Sequence, residues 1–370
     1  MVTANDRLSD ESLAHAIWIS RYSTGVASRM MKLLNDSDAE LTARLLVAMD
    51  TLDADSFTVS RLESLLVSVR ALNHEAVQAM YVGLSAELQE LAKHEAGFQL
   101  SLFQFAIPDD VLALHPLVGI SPDAVYAAAM AQPFQGRLLS EWASSLESDR
   151  MARISNTVRQ GFLLGDTHEQ IARKVRGHAN RGYQDGALQM SRTNAGSITK
   201  TAVGHLAATA RQSFATANDD ILKGKQWLST LDNRTSKDCR IRDRLKYTLD
   251  GKPIGHKIPY LQGPGKIHFC CRSVETYILK SADELGIAVG QISDSSRASM
   301  DGQVPADTDY QGWFSRQSFT RQSQIVGVTR ARLIRDGGMS PDEFYNDRGE
   351  WLTLDQLRER DDKAFSDAGI

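Results

Sequence analysis

The sequence contains few cysteines, no long apolar segment and no signal-peptide pattern. Only Cys239, Cys270 and Cys271 stand among its 370 residues. So few cysteines without a secretory signal exclude a disulfide framework, and reduced thiols are expected. No apolar run approaches the roughly 20 residues that cross a bilayer, and the polar first ten residues lack the basic and apolar regions of a signal peptide. We therefore expect a soluble protein, made in a cytoplasm, with no membrane partner.

Signatures of the common enzyme classes are also missing. The chain has no dinucleotide-binding glycine pattern, no H-E-x-x-H metalloprotease pair and no G-x-S-x-G nucleophile turn. Gly265 and Lys266 do not belong to a phosphate loop, because Tyr260 stands where that loop needs its first glycine. No Glu-x-Glu pair occurs, which excludes the usual ADP-ribosyltransferase signature. We predict no catalytic residues and no enzymatic activity.

Charge is distributed unevenly, although the net charge is only −4. Residues 1–150 contain 10 Lys/Arg and 20 Asp/Glu, and residues 281–370 contain 10 and 16. Residues 151–280 reverse the balance, with 22 Lys/Arg against 10 Asp/Glu. A basic middle between acidic flanks indicates a polyanion or an acidic protein surface as its partner. The alternative is that these charges only solvate helix faces.

Apolar spacing predicts a mainly α fold. Apolar side chains recur at helical spacing between positions 17 and 33 and again between 62 and 72. One long helix is expected from about 184 to 222, and its small side chains predict close packing against another helix. Ser121 before Pro122 is a helix-start pattern, as is Thr353 followed by Gln356.

The pattern changes at Gln226, after which glycines, prolines, the cysteines and a short strand-like run at 274–278 appear. The predicted organisation is a helical N-terminal region at 1–140, a helical lead-in at 141–225, a small α+β module at 226–290 containing the Cys/His group, a linker at 291–309 and a helical C-terminal tail at 310–370. The linker is predicted because its residues are small, polar and too poor in apolar groups to pack.

A distinctive run of residues lies inside the module. It reads W-L-S-T-L-D-N-R-T-S-K-D-C from Trp227, then L-D-G up to Gly251, and closes with G-P-G-K-I-H-F-C-C-R up to Arg272. In this order it resembles the Mu-F-like family of tailed-phage minor head proteins, also known as head-morphogenesis proteins. The matching positions are Trp227, Asp232, Arg234, Thr235, Cys239, Gly251, His268, Cys271 and Arg272.

The resemblance extends upstream through Gly161, Gly165 and the segment at 191–194, so it covers about residues 140–280. The chain departs from the family pattern at Ser273, where a last cysteine is usual, and at Phe269, where proline commonly follows the histidine. The resemblance implies a low-copy structural protein of the virion, made late, that takes part in capsid assembly and DNA packaging.

The implied partners are the portal protein and the capsid or scaffold proteins. The implied location of the protein is the capsid interior or the portal vertex of the virion, and the host cytoplasm during assembly. Viral DNA, contacted without sequence specificity, is a further expected partner. Four alternating basic residues, Arg240, Arg242, Arg244 and Lys246, are the candidate DNA contacts, because on a strand they would line one face.

Cys239, His268 and Cys271 are candidate metal ligands, since thiolate and imidazole are preferred by Zn²⁺. A four-coordinate structural site could draw a further ligand from Cys270 or His256. The alternative is that the cysteines are small core residues and that His268 hydrogen-bonds a loop. The residues favour this alternative, so we assign no cofactor, and a structural zinc ion is the second interpretation.

Asp232, Arg234 and Thr235 are predicted to be structural. Asp and Thr side chains cap turns, and an Asp232–Arg234 pair could pin this one. Arg272 is expected to serve a similar purpose against a carboxylate or loop carbonyls.

The alternative function is a phage-delivered DNA-acting enzyme or toxin effector. A nuclease would need a metal-bound cluster, for which His256, His268 and Asp250 are the candidates. A host DNA-binding protein is a third interpretation, but no helix-turn-helix or finger pattern supports it.

Overall fold

The computed structural model describes residues 3–50, 59–281, 284–285, 296–305 and 308–370. Over these residues the protein is mainly α, as predicted. Its α-helices are α1 (Ala4–Asp50), α2 (Val59–Ala106), α3 (Asp109–Leu114), α4 (Pro122–Ala131), α5 (Leu139–Leu164), α6 (His168–Arg176), α7 (Gln189–Ala217), α8 (Lys237–Arg240), α9 (Tyr310–Ser315), α10 (Phe319–Val326), α11 (Val328–Arg335), α12 (Leu354–Arg360) and α13 (Asp362–Asp367). Its strands are β1 (Leu222–Leu228), β2 (Lys246–Tyr247), β3 (Pro253–Ile254), β4 (Val274–Leu279), β5 (Ser296–Ser299) and β6 (Gly302–Pro305).

Helices α1, α2 and α7 form the framework of the molecule. α1 and α2 have 47 and 48 residues, so each is roughly 70 Å long at 1.5 Å per residue. Their apolar faces meet α7 in the largest core, which includes Val26, Leu84 and Leu206. The predicted long helix is confirmed as α7, and it packs closely as expected: a side chain at Gly196 would lie 3.1 Å from the sulfur of Met31 on α1.

A buried ionic network joins four helices. The Asp38 carboxylate on α1 accepts hydrogen bonds from Arg150 on α5 at 2.5 Å and from Arg192 on α7 at 2.8 Å. Arg150 Nε also donates to Asn73 of α2 at 2.8 Å. The Asp38 and Arg150 side chains are completely buried. Since an uncompensated buried charge is costly, the carboxylate fixes how these helices meet.

The larger sheet has the strand order β3-β2-β1-β4, with all neighbours antiparallel. The strand expected at 274–278 is confirmed as β4, which pairs with β1 along its length. β1 begins at Leu222, so the end of the predicted helical lead-in is a strand. The reason lies at Asn218: its side-chain amide donates to the Phe214 carbonyl and to Val118, which ends α7 and turns the chain.

The segment predicted as a linker is partly a hairpin. Strands β5 and β6 pair with each other, and Leu231 bridges to Ser299. Backbone hydrogen bonds pair the two strands, and Val304 of β6 packs against the core that contains Leu231. The predicted stretch at 291–295 and residues 306–307 lie outside the described residues.

The helical C-terminal tail packs on the module. Tyr310, Trp313 and Phe314 of α9 bury against Leu231. The Tyr310 hydroxyl donates to the Asp232 carbonyl at 2.8 Å, and the Tyr345 hydroxyl donates to the Lys237 carbonyl at 3.1 Å. Among the described helices, none combines the length and the apolar character that crossing a bilayer requires.

Replacing Asp38 by asparagine should destabilise the fold by about 3–5 kcal/mol, because two buried guanidinium groups lose their counter-charge. Urea denaturation measures this change. The matched control is Asp36→Asn on the same helix, where the exposed pair with Lys32 contributes less than about 1 kcal/mol. Equal stability of the two variants would contradict the claim that the Asp38 ion pairs stabilise the helix arrangement.

Candidate metal centre

The first residue of the centre is positioned by a cap on a short helix. After β1 the chain turns and enters α8, where the Ser236 side chain accepts a hydrogen bond from the Cys239 backbone at 3.2 Å. Cys239 is buried in a small core with Trp227 and Tyr247. The sheet and this cap together fix where the Cys239 thiol lies.

The other two residues come from the loop at 263–273. Gly263 and Gly265 have φ of +85° and +79°, a region that favours glycine. Gly265 lies against α7, where an added side chain would come within 3.2 Å of the Gly204 carbonyl oxygen. The Gly265 backbone N–H donates to Cys271 Sγ at 3.3 Å. The glycines therefore seat the loop on α7 and direct Cys271 inward.

Cys239, His268 and Cys271 form a group that could hold a metal ion. Their ligand atoms all lie within 4.8 Å of one another. Cys239 Sγ is 3.3 Å from His268 Nε2 and 3.7 Å from Cys271 Sγ. The other imidazole nitrogen of His268 lies 2.9 Å from the Phe269 carbonyl, which favours a proton on Nδ1 and leaves Nε2 as a ligand atom.

The two thiols differ in acidity. The hydrogen bond with Cys239 and the Gly265 N–H lower the pKa of Cys271. The pKa of Cys239 is raised well above the usual range by the hydrogen bond with Cys271 and by burial. Cys271 is therefore the first of the pair to become the thiolate that binds metals.

Cys270 and His256 do not belong to this group. The Cys270 backbone N–H donates to Thr201 of α7 at 3.0 Å, and its thiol faces the Ser197 carbonyl. His256 Nε2 lies 2.9 Å from the Lys246 carbonyl, beside β2. The side chains of the adjacent Cys270 and Cys271 diverge because the loop bends here, where Cys270 has a φ of +54°.

The nuclease cluster suggested by His256, His268 and Asp250 is not assembled among the described residues. Neither His256 nor Asp250 is in a potential metal-binding group there. Asp250 instead pairs with Lys252 at 2.8 Å on the surface, beside Gly251, whose φ of +86° makes the turn.

The turn at Asp232 is pinned by a different arginine from the one expected. Asp232 accepts two hydrogen bonds from the Arg272 guanidinium, at 2.5 and 2.9 Å. It also accepts from the Arg234 backbone at 2.9 Å and the Thr235 hydroxyl at 3.1 Å. The predicted Asp232–Arg234 side-chain pair is therefore wrong, because Arg234 contributes its backbone and leaves its guanidinium exposed.

The basic run does not form one face of a strand. Arg240 ends α8 and Lys246 begins β2, with a turn between them. Arg242 is buried, and its guanidinium donates to the Pro259 and Asp238 carbonyls at 2.9 and 2.7 Å. Arg240 donates to the Thr235 carbonyl at 2.8 Å. The predicted strand is wrong, since at least two of these guanidinium groups satisfy loop carbonyls inside the module.

Two polar clusters were missed by the sequence reasoning. Glu275 on β4 is buried and accepts hydrogen bonds from the hydroxyls of Tyr260 and Tyr277. Between α1 and α2, the buried Glu95 carboxylate lies 2.7 Å from His15 and 3.4 Å from His94, and these imidazoles lower its pKa to about 2 against the effect of burial. Neither cluster has a short sequence motif that could have indicated it.

Comparison of the chain with protein-family models, with curated proteins and with solved structures returned no match.

Replacing Asp232 by asparagine should lower the free energy of unfolding by roughly 1–3 kcal/mol at neutral pH, because the charge-assisted pair with Arg272 is lost. Burial opposes ionisation of Asp232, but the Arg272 guanidinium holds its pKa below the usual value. The stabilisation is therefore complete above pH about 4 and is lost as the pH falls through the lowered pKa.

Thermal melting between pH 2 and 7 measures both effects. Asp250→Asn is the control, since Asp250 lies on the surface of the same module. A melting temperature of Asp232→Asn equal to that of the control at pH 7 would contradict the assignment.

Proposed function

We propose that this protein is a structural minor head protein of a tailed-phage virion, associated with the portal or inner capsid during head assembly. One observation carries the proposal: the module residues that resemble the Mu-F-like family, apart from Gly251, each contact at least one other of them in the fold. Trp227 and Cys239 share a core, Asp232 binds Thr235 and Arg272, and Cys239 meets His268 and Cys271.

The upstream glycines of the resemblance support the same proposal. A side chain at Gly161 on α5 would come within 2.4 Å of Ile171 on α6, and Gly165 has a φ of +71° where α5 ends. Arg192 holds the buried Asp38. Each of these positions has a structural reason for its residue type, which fits a scaffold rather than a reaction centre.

The surface of the long helices is the proposed site of portal contact. Val67 and Val82 of α2 are 66% and 63% exposed. They are 15 residues apart, which places them within about 60° of each other around the helix. Deleting the first 140 residues would not test this surface, because α1 and α2 also form the main core with α7.

The double variant Val67→Glu/Val82→Glu should abolish co-purification with the portal protein encoded in the same genome, since two added charges would have to be buried in the interface. Val328→Glu is the control, because Val328 is 61% exposed on α11 at the other end of the chain. Unaltered portal binding by the double variant, with both variants folded, would place the contact elsewhere.

We further propose that the Cys/His group binds a structural Zn²⁺ ion. Tetrahedral zinc with its usual bond lengths separates two thiolates by about 3.8 Å and a thiolate from an imidazole nitrogen by about 3.6 Å. The corresponding distances of 3.7 and 3.3 Å are close to these values. Cys239, His268 and Cys271 would hold the ion, which would supply folding free energy to the module.

Protein purified without chelator should contain about one zinc per chain by elemental analysis, and Cys239→Ser should contain much less. Cys270→Ser is the control, because its thiol points toward α7. Zinc-free wild-type protein, or equal zinc loss in both variants, would favour the alternative that the cysteines are core residues.

A further inference from the structure

A pocket lies where the long helices meet the module. It has a volume of about 440 Å³ and is bounded by α1 near Ser20, by α7 from Lys200 to Arg211, and by the loop that ends at Val274. This volume is within the range of small-molecule sites, roughly 300–1,000 Å³. His268 and Cys271 form part of its wall.

The charged residues that line the pocket are all cationic. They are Lys200, Arg211, Arg234 and Arg272, and among the described residues no Asp or Glu lines it. Arg211 is only 6% exposed, so its cationic side chain is buried at the pocket wall. Burial lowers the effective dielectric constant, which strengthens the attraction of such a group for an anion.

Not all of this positive charge is balanced nearby. Asp232 compensates Arg272. The Arg211 charge lowers the pKa of the nearby Glu95, but the Glu95 carboxylate forms its ion pair with His15, at 2.7 Å, and not with Arg211. Lys200 and Arg234 make no ion pair within the described part of the chain. The pocket therefore retains an excess of positive charge.

The Cys/His group does not remove this excess. Two thiols with a neutral imidazole carry no charge, and a divalent ion with two thiolates and an imidazole is also neutral. Counted in this way, the Cys/His group adds no net negative charge to the pocket.

We propose that this pocket binds a phosphate group. A multiply charged tetrahedral anion matches several converging cations, and guanidinium groups bind phosphate oxygens through paired N–H donors. The phosphate could come from a small molecule such as a mononucleotide or from a DNA backbone. The inference goes beyond the head-assembly proposal and does not depend on it.

Titration calorimetry of the full chain with inorganic phosphate, a mononucleotide and a short DNA duplex tests the proposal. Lys200→Gln and Arg234→Gln should each weaken phosphate binding about tenfold or more, because each removes a charge-assisted contact. Lys237→Gln is the matched control: Lys237 is exposed on the same module and does not line the pocket. Arg211→Gln is a secondary variant, interpreted only if its circular dichroism matches the wild type.

The sources are distinguished by the other two probes. Mononucleotide binding that competes with phosphate and is lost in both variants supports a small-molecule site. Duplex binding that is lost in both variants and falls steeply with salt supports a backbone phosphate. The proposal is overturned if no probe binds at millimolar concentration, or if Lys237→Gln weakens binding as much as the pocket variants. Because portal binding is not measured here, this result and the head-assembly test can fail separately.

Discussion

The arrangement of the helices depends on a single buried carboxylate. Asp38 lies in the C-terminal half of α1 and, within the described residues, is the carboxylate that forms ion pairs with both Arg150 of α5 and Arg192 of α7. Two guanidinium groups in a low-dielectric core would be strongly unfavourable without it. Because both contacts are directional hydrogen bonds, the carboxylate fixes the rotation of α1 about its axis and the position of α7 relative to α1. Apolar contacts alone would tolerate small slips of one helix along another.

The position of the metal centre follows from that of α7. The loop that carries His268 and Cys271 rests on this helix through Gly265 and Gly204, and the Cys270 N–H is bound by Thr201. A larger residue at either glycine would push the loop outward and separate Cys271 from Cys239. Small residues along α7 therefore have two uses: they let α1 approach from one side and the loop from the other.

Local signals in the sequence predicted local structure well. Ser121 and Thr353 cap helices as expected, because their partners lie three residues away. The grouping of Cys239, His268 and Cys271 could also be predicted, since thiols and an imidazole in one short module suggest a common site. Pairings that depend on the tertiary fold could not be predicted. Nothing near Asp232 in the chain indicates that its partner is Arg272, 40 residues later, instead of Arg234.

In the basic middle of the chain, part of the charge counted in the sequence is used inside the fold. From the sequence, 22 Lys/Arg among residues 151–280 suggest a cationic outer surface. In the fold, Arg192 and Arg242 point inward and satisfy a carboxylate or loop carbonyls, so part of the excess never reaches solvent. Lys200 and Arg234, which have no local counter-charge, line the pocket between α1, α7 and the loop. Within the described residues, no acidic side chain lines this pocket. A uniform surface would attract any polyanion weakly, whereas a concave group of cations selects ligands by shape as well as charge. If the pocket binds phosphate as proposed, its affinity depends on these few converging cations and not on the total charge of residues 151–280.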